Sequence, residues 1–400
     1  MSYDIDKILK DIYKELKGKY GDAKNADYIS TMKNMDPHIF QISVFPVKGN
    51  KWKLPNKVFS VGSFQNKKGE SERVTIQSVS KVFNLALAIK KRNKKSGKGI
   101  RDISEIIGTE VSFMGFNDIN AHKLMDGNQG VPFTINPFIN SGAIATVSLI
   151  TPTRSQSTVS QMINNFNDFA GYEHGKGNQN ISLAAYTNEI KWIETNKKLS
   201  RKMKKMSEKF YKKKTNIRKF KYFQGDKDSL NIKSALSNYT SICSVLVNSE
   251  NLVNMSYTLA NSGVNQNGKE ILSCKENRFI LSLMAYGGMY NASGNWYQKL
   301  GIPMKSGVGG AIIAIIPGQM AISVISPPLD KYGNSAIGGK VIEMLAEKLK
   351  FHMLGFCNSD KITIPKTIKK KKNKNQEHIT CNVDLEIENN IKKIEQKINV

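Results

Sequence analysis

The stretch 77–89 reads QSVSKVFNLALAI and places a serine and a lysine three positions apart at the start of an apolar run. Residues i and i+3 lie on one face of a helix, so the Lys81 amine can lie beside the Ser78 hydroxyl. The apolar residues that follow occupy more than one helical face, which predicts a buried helix over 78–91. Because burial disfavours an ammonium group, we expect the pKa of Lys81 to fall, and a fall to near 7 would cost about 4 to 5 kcal/mol. A serine beside a neutral lysine is typical of enzymes that form an acyl intermediate on serine.

The spacing alone also fits an ordinary helix start followed by a solvated lysine. Composition bounds the alternatives. The 400 residues are 40% hydrophobic, which is enough for a large core. The most apolar segment, 311–326, is interrupted by Pro-Gly-Gln at 317–319, so we expect two buried strands joined by a tight turn and no membrane span.

The amino terminus lacks an apolar signal-peptide core, and the four cysteines show neither C-x-x-C spacing nor a disulfide framework. These features predict a cytoplasmic protein. The five histidines show no metal-binding spacing, so we expect no metal site.

The net charge of +27 is concentrated in lysine-rich blocks at about 191–233 and 366–374. Such blocks can bind nucleic acid or an anionic surface, and aromatic residues within the first block suit stacking on a single strand. A solvated face of a lysine-rich chain explains the same pattern, and we favour it.

Apolar periodicity predicts one sheet built from both ends of the chain, with a separate helical lobe. A helix is expected within 1–25, and strands are expected over 38–47 and 58–64. The region 138–290 is mostly helical in pattern. A last helix is expected over 335–353.

Further motifs follow in a fixed order. They are NPFINSGAI at 136–144, YEHGKGNQN at 172–180, Tyr239 ahead of Cys243-Ser244, GGMY at 287–290, KSGV at 305–308 and SPPLDKYGNS at 326–335. With the SVSK stretch, this ordered set resembles the serine-dependent glutaminase family over residues 26–352. The resemblance implies a β-lactamase/transpeptidase-like α+β fold. Such a fold has a central, mainly antiparallel sheet, flanking helices and a helical lobe.

The resemblance also implies roles for individual residues. Ser78 is similar to the nucleophile and Lys81 to its general base, while Tyr290 and Tyr28 are similar to active-site tyrosines. Residues implied to contact the substrate are Ser78, Gln77, Asn140, Glu173, Asn180, Tyr239, Tyr290 and Val308. A carboxylate such as Glu173 suits an ammonium group, and two backbone N–H groups, of Ser78 and Val308, suit an oxyanion.

The family implies hydrolysis of L-glutamine to L-glutamate and ammonia without a metal or organic cofactor, by a homo-oligomer that is a dimer or tetramer. We expect a catalytic domain over 1–354 with a lysine-rich insertion at about 191–230, and a basic, flexible tail over 355–400.

Two other functions stay open: a β-lactamase-like serine acyl hydrolase acting on another substrate, and a weakly active scaffold whose basic insertion binds nucleic acid or an anionic surface. Each residue also has a structural alternative. The asparagines could cap helices, the tyrosines could pack in the core, and 305–307 could be a turn.

Departures from the family pattern occur at Lys176, beside Glu173, and at Glu110-Val111-Ser112-Phe113, where the family has Glu-Pro-Ser-Gly. These departures are expected to affect the catalytic rate and the selectivity for glutamine over other substrates.

Overall fold

Strands from both ends of the chain meet in one antiparallel sheet. A computed structural model describes residues 3–112, 115–116, 134–173, 201 and 232–353. Its largest sheet has five strands in the order β2-β1-β7-β6-β5, and β3 and β4 form a separate pair. The strands are β1 (Gln41–Pro46), β2 (Phe59–Gly62), β3 (Val74–Thr75), β4 (Leu246–Val247), β5 (Met304–Gly307), β6 (Ala311–Ile316) and β7 (Met320–Ile325).

The register of the sheet joins an early strand to a late one. Strand β1 pairs with β7 from Gln41 opposite Ile325 to Pro46 opposite Met320. The hairpin of β6 and β7 turns at Gly318, which has a φ of 70°. The predicted strand pair within 311–326 and the predicted two-ended sheet are therefore confirmed.

Helices cover both faces of this sheet. They are α1 (Ile5–Leu16), α2 (Ser30–Lys33), α3 (Ser80–Ser96), α4 (Gly99–Ile106), α5 (Asn140–Ser148), α6 (Thr158–Ala170), α7 (Ile232–Cys243), α8 (Ser249–Ala260), α9 (Cys274–Gly287), α10 (Ser293–Leu300) and α11 (Gly338–Leu349). Short 3₁₀ helices cover Gln77–Val79 and Tyr290–Ala292.

Two apolar cores sandwich the sheet. Alternate residues of β6 point to opposite faces, so Ile312 packs with helices α1 and α11 whereas Ile313 packs with the helical lobe. Strands β1, β6 and β7 are buried along their whole length. This burial explains why β6 and β7 are apolar at nearly every position. Strand β1 differs, since it also buries the polar residues Gln41 and Ser43.

Helix α3 runs through the centre of the lobe and contacts α4, α5, α6 and α9. It continues to Ser96, beyond the predicted end at 91, and stops where Gly97 takes a φ of 69°. Helix α1 is shorter than the region assigned to it. Asp4 caps its start, since the Asp4 carboxylate accepts a hydrogen bond from the Lys7 N–H at 3.0 Å, and the helix ends at Leu16.

Within the described residues, no helix is long and apolar enough to cross a membrane. These residues belong to a compact unit that spans Met1–Gly355. The predicted insertion at about 191–230, apart from residue 201, and the predicted tail over 355–400 lie outside the described residues.

Candidate active site

The serine of the SVSK stretch lies in a tight turn that leads into helix α3. Ser78 is the middle residue of the 3₁₀ helix Gln77–Val79, and Lys81 lies in the first turn of α3. The pair therefore spans the junction of two helices, not one regular α-helix. Gln77 has a φ of 47°, a left-handed conformation that costs free energy for a residue with a side chain. Strain of this kind clusters at functional sites.

The amine of Lys81 is buried, and only 1% of the residue is exposed. Its Nζ donates to the Phe138 carbonyl oxygen and to Asn140 Oδ1, both at 2.7 Å. Burial lowers the pKa of Lys81 to about 7, as the apolar surroundings predicted. Both acceptors are uncharged, so neither retains the proton. A neutral amine carries two N–H groups and one lone pair, and these two hydrogen bonds leave the lone pair unused.

A second lysine lies in the same site. Lys305 of β5 is completely buried, and its Nζ donates to the carbonyl oxygens of Gly288, at 3.1 Å, and Ser306, at 2.5 Å. Burial, and then the positive charge of Lys81, lower the pKa of Lys305 well below its usual value. Two neighbouring buried ammonium groups repel each other, so a positive charge on one amine favours the neutral form of the other.

Two buried phenols surround the serine. Tyr239 donates to Asn140 Oδ1 at 3.0 Å, so this oxygen accepts from both Tyr239 and Lys81. Tyr290 donates to the Ser306 carbonyl oxygen at 3.2 Å. Burial raises the pKa of both phenols, and the Ser78 hydroxyl lies within hydrogen-bonding reach of each. Both hydroxyls therefore stay protonated at neutral pH and can donate or relay a proton.

The turn between β5 and β6 lies against the serine. A methyl group added at Gly307 would be 3.3 Å from the Ser78 nitrogen, and one at Gly309 would be 2.4 Å from the Thr75 carbonyl oxygen. Glycine at these two positions allows the backbones to approach closely. The N–H groups of Ser78 and Val308 therefore belong to facing segments, as an oxyanion site requires.

The remaining predicted residues are placed unequally. Tyr28 is half-buried and packs in one apolar cluster with Tyr290 and Val308. Gln77 is buried, and its Nε2 donates to Thr75 Oγ1 at 2.9 Å. Glu173 is exposed just beyond the end of α6. Asn180, like Lys176, lies outside the described residues.

The structural alternatives fare differently at each residue. Asn140 does not cap α5, since Ile139 occupies the cap position and the Asn140 side chain faces Lys81 and Tyr239 instead. Residues 304–307 form strand β5, so the interpretation of 305–307 as a turn is wrong. Both tyrosines have buried, hydrogen-bonded hydroxyls, not wet ones.

Sequence reasoning missed two components of this site. It assigned no role to the buried amine of Lys305, because strand β5, with the sequence MKSG, has too few apolar residues to be predicted as buried. It also did not anticipate the Phe138 carbonyl, because a backbone acceptor leaves no mark in the residue types.

Comparisons with known proteins point in one direction. A family model described as Glutaminase matches residues 23–354. A glutaminase of Trichormus variabilis is 32% identical over 346 residues, which cover 86% of this chain and 89% of the relative. A glutaminase of Clostridium tetani is 31% identical over 342 residues, with 85% of this chain and 97% of the relative covered.

Solved structures agree with these relatives. The structure named Probable glutaminase ybaS has a TM-score of 0.69 at 26% identity, and the match covers 87% of this chain and 97% of that chain. The probable glutaminase from Bacillus subtilis complexed with 6-diazo-5-oxo-L-norleucine shares the fold, with a TM-score of 0.67 at 19% identity, over 88% of this chain and 97% of that chain. The predicted α+β, β-lactamase-like fold is confirmed. Since the family model spans most of the chain and the curated relatives exceed 30% identity, this chain belongs to the glutaminase family.

Proposed function

We propose that this protein hydrolyses L-glutamine to L-glutamate and ammonia through an acyl-enzyme on Ser78, with Lys81 as the general base. The observation that carries the proposal is the state of the Lys81 amine. Two uncharged acceptors take its two N–H groups at 2.7 Å, and burial brings its pKa to about 7. A base with a pKa close to neutral combines a free lone pair with useful proton affinity.

In the acylation step, the Ser78 oxygen attacks the side-chain amide carbon of glutamine while Lys81 takes the hydroxyl proton. The backbone N–H groups of Ser78 and Val308 would donate to the oxyanion that forms. The same proton then passes to the amide nitrogen, the carbon–nitrogen bond breaks, and ammonia leaves. Tyr290 is placed to relay this proton, because its hydroxyl is within reach of Ser78.

Water completes the cycle. Lys81 removes a proton from a water molecule as the water oxygen attacks the ester carbon. The carbon–oxygen bond to Ser78 breaks, and the serine recovers a proton from Lys81. Glutamate is released, and each group returns to its initial state.

Recognition of the α-amino and α-carboxylate groups of glutamine is assigned to residues around this centre. The carboxylate of Glu173 suits the ammonium group, and the amide and phenol donors of Asn140, Asn180 and Tyr239 suit the carboxylate. Gln77, which precedes the serine, and Tyr28, which packs with Tyr290 and Val308, are assigned to the same substrate site.

The proposal also covers the location, the assembly, the domain boundaries and the lysine-rich insertion. The enzyme is cytoplasmic and forms a homo-oligomer, a dimer or a tetramer. Residues 1–354 form the catalytic domain, with residues 355–400 as an appended tail. The lysine-rich insertion is a solvated surface and not a nucleic-acid site.

An ammonia-release assay on the purified full chain tests the function, with glutamine, asparagine and a blank as substrates. We expect release from glutamine well above that from asparagine, and none from a Ser78→Ala variant. Nitrocefin serves as the comparator for a β-lactamase-like acyl hydrolase. Hydrolysis of nitrocefin without ammonia release from glutamine would overturn the proposal.

A further inference from the structure

A buried cysteine lies among the proposed catalytic residues and takes no part in the chemical steps proposed above. Cys243 is the last residue of α7 and is 6% exposed. It follows Tyr239 by four positions, so the two side chains lie on the same face of the helix. The Tyr239 hydroxyl and the Lys81 amine both donate hydrogen bonds to Asn140 Oδ1.

The thiol contacts two different parts of the site. Its Sγ is 4.0 Å from Ser80 Oγ, and it also interacts by a hydrogen bond with Tyr239. Ser80 Oγ in turn donates to the Gln77 carbonyl oxygen at 2.6 Å. Gln77 is the left-handed residue that directly precedes the nucleophile. One side of the thiol therefore faces the turn that carries Ser78, and the other faces the group that orients Lys81.

Proton accounting fixes the direction of these contacts. The Ser80 proton is used on the Gln77 carbonyl, and the Tyr239 proton is used on Asn140 Oδ1. Both oxygens therefore present lone pairs towards Cys243, and the single thiol proton can serve only one of them at a time. A side chain without a donor removes this hydrogen bond, and a thiolate in the same place would repel both oxygens.

We propose that Cys243 is a positioning residue whose sulfur lies between the nucleophile turn and the Tyr239–Asn140–Lys81 arm, and whose thiol proton is donated to one of them at a time. Each contact of a thiol is weak, so its contribution lies in alignment more than in stability. The inference rests on the proposed function for its kinetic readout, because alignment matters through the proton transfer between Ser78 and Lys81.

Three substitutions separate the donor from the volume. Cys243→Ser keeps a donor, Cys243→Val keeps the bulk without a donor, and Cys243→Ala removes both. We expect kcat to fall about tenfold in the Val and Ala variants and to stay within about threefold in the Ser variant, with KM within about twofold throughout. Cys274→Ala is the matched control, because Cys274 is an exposed free cysteine at the start of α9, and it should change neither constant.

A second readout does not depend on turnover. The Tyr239 ring carbon that bears the hydroxyl is observed by NMR of ζ-¹³C-tyrosine-labelled full chain, with the resonance assigned from a Tyr239→Phe variant. We expect this resonance to move in Cys243→Ala, to recover in Cys243→Ser, and to be unaffected in Cys274→Ala.

These readouts distinguish the possible failures. If Cys243→Val retains the kcat of the unsubstituted chain, or if the Tyr239 resonance does not respond to Cys243→Ala, the positioning role is wrong. If the unsubstituted chain releases no ammonia from glutamine, the proposed function is wrong, and the resonance still decides whether Cys243 holds Tyr239.

Discussion

A lysine serves as a base near neutral pH only when its surroundings remove the stabilisation of its charge. At Lys81 burial does this, and the two hydrogen-bond acceptors are a carbonyl and an amide oxygen instead of carboxylates. A carboxylate in either position would hold the proton and raise the pKa. The neutral character of the pair of acceptors is therefore as important to the proposed chemistry as the three-residue spacing of Ser78 and Lys81.

The first prediction concerns the pH dependence of activity. In the proposed mechanism only the neutral amine of Lys81 accepts the Ser78 proton, so kcat/KM should rise with pH through about 7 and then level off. The raised pKa of Tyr290 and of Tyr239 keeps both phenols protonated beyond that range. Steady-state rates from pH 5.5 to about 9.5 check this profile. A rise of kcat/KM near pH 4, as a carboxylate base would give, would argue against Lys81 as the base.

The second prediction concerns the nucleophile. Ser78→Ala should lower kcat by at least about 10⁴-fold, because groups that act as a unit fail together. Its melting temperature should stay within about 2 °C, since a small side chain is removed without a change in backbone. Lys81→Ala should cost nearly as much activity. Circular dichroism provides the folding control, and near-normal turnover in either variant would contradict the assigned roles.

The third prediction is a gain of stability on loss of the base. The pKa of Lys81 is about 7 in the folded state and near 10.5 when the chain is unfolded, so the unfolded chain binds more protons between these values. The cost of burying the Lys81 charge therefore lowers the free energy of unfolding by its full amount below pH 7. This cost disappears as the pH rises towards 10.5. At pH 7 it amounts to about 5 kcal/mol, partly offset by two hydrogen bonds.

Lys81→Met removes this penalty and should raise the free energy of unfolding at pH 7 by about 1–3 kcal/mol while abolishing turnover. Urea unfolding at pH 7 and at pH 9.5 measures it, and the gain should be smaller at the higher pH. A loss of stability at pH 7 would show that the two hydrogen bonds outweigh the burial of charge.

Among the individual residues of the site, the sequence predicted properties that depend on the types of neighbouring side chains. The apolar flanks of the SVSK stretch predicted the burial and the lowered pKa of Lys81. The same reasoning overlooked Lys305, because residues 304–307 contain too few apolar positions to reveal a buried strand. Strain at Gln77 and at Tyr290, whose φ is 55°, could not be read from residue types that rarely adopt such angles.

At the scale of secondary-structure elements, the end of α9 is held tightly against β5. Gly288 follows the helix, and its carbonyl accepts from the Ser306 N–H at 3.0 Å as well as from the Lys305 amine. A methyl group added at Gly288 would lie 1.7 Å from the Met304 carbonyl oxygen. The contact leads directly into Tyr290, so it fixes two parts of the site at once.

The fourth prediction follows from this contact. Gly288→Ala forces α9 and β5 apart and should cost at least about 2 kcal/mol of stability together with most of the activity. Gly294→Ala is the control, because nothing lies within 4 Å of the added methyl group. Thermal unfolding and ammonia release measure both variants. Equal losses of stability and activity in the two variants would show that the close approach of α9 and β5 does not require glycine at position 288.

The elements themselves were predictable to different degrees. The hairpin of β6 and β7 was predicted because long apolar runs flank a Pro-Gly turn. The extension of α3 to Ser96 was missed because its last turns are lysine-rich and resemble a loop, although lysine is compatible with helix. The position of Phe138 beside two lysines depends on how α5 packs on α3, which no local pattern encodes.

At the scale of the whole molecule, a net charge of +27 produces self-repulsion that the fold must overcome. The fifth prediction is that added salt stabilises the protein by screening. Between 20 mM and about 300 mM NaCl the melting temperature should rise by about 2–4 °C. Choline chloride should have the same effect, since screening is not specific to the cation. A fall in melting temperature would mean that attractive ion pairs dominate.

The pairing of β1 with β7 inside the sheet has a consequence for the nascent chain. Its partner β7 lies roughly 280 residues later in the sequence, so this pairing is of very high contact order. At about 5–20 residues per second, the ribosome needs on the order of 15–60 s to deliver that partner after β1 emerges. Throughout this interval an apolar strand edge is open to other chains, so co-translational chaperones are expected to govern the yield of this protein in a cell.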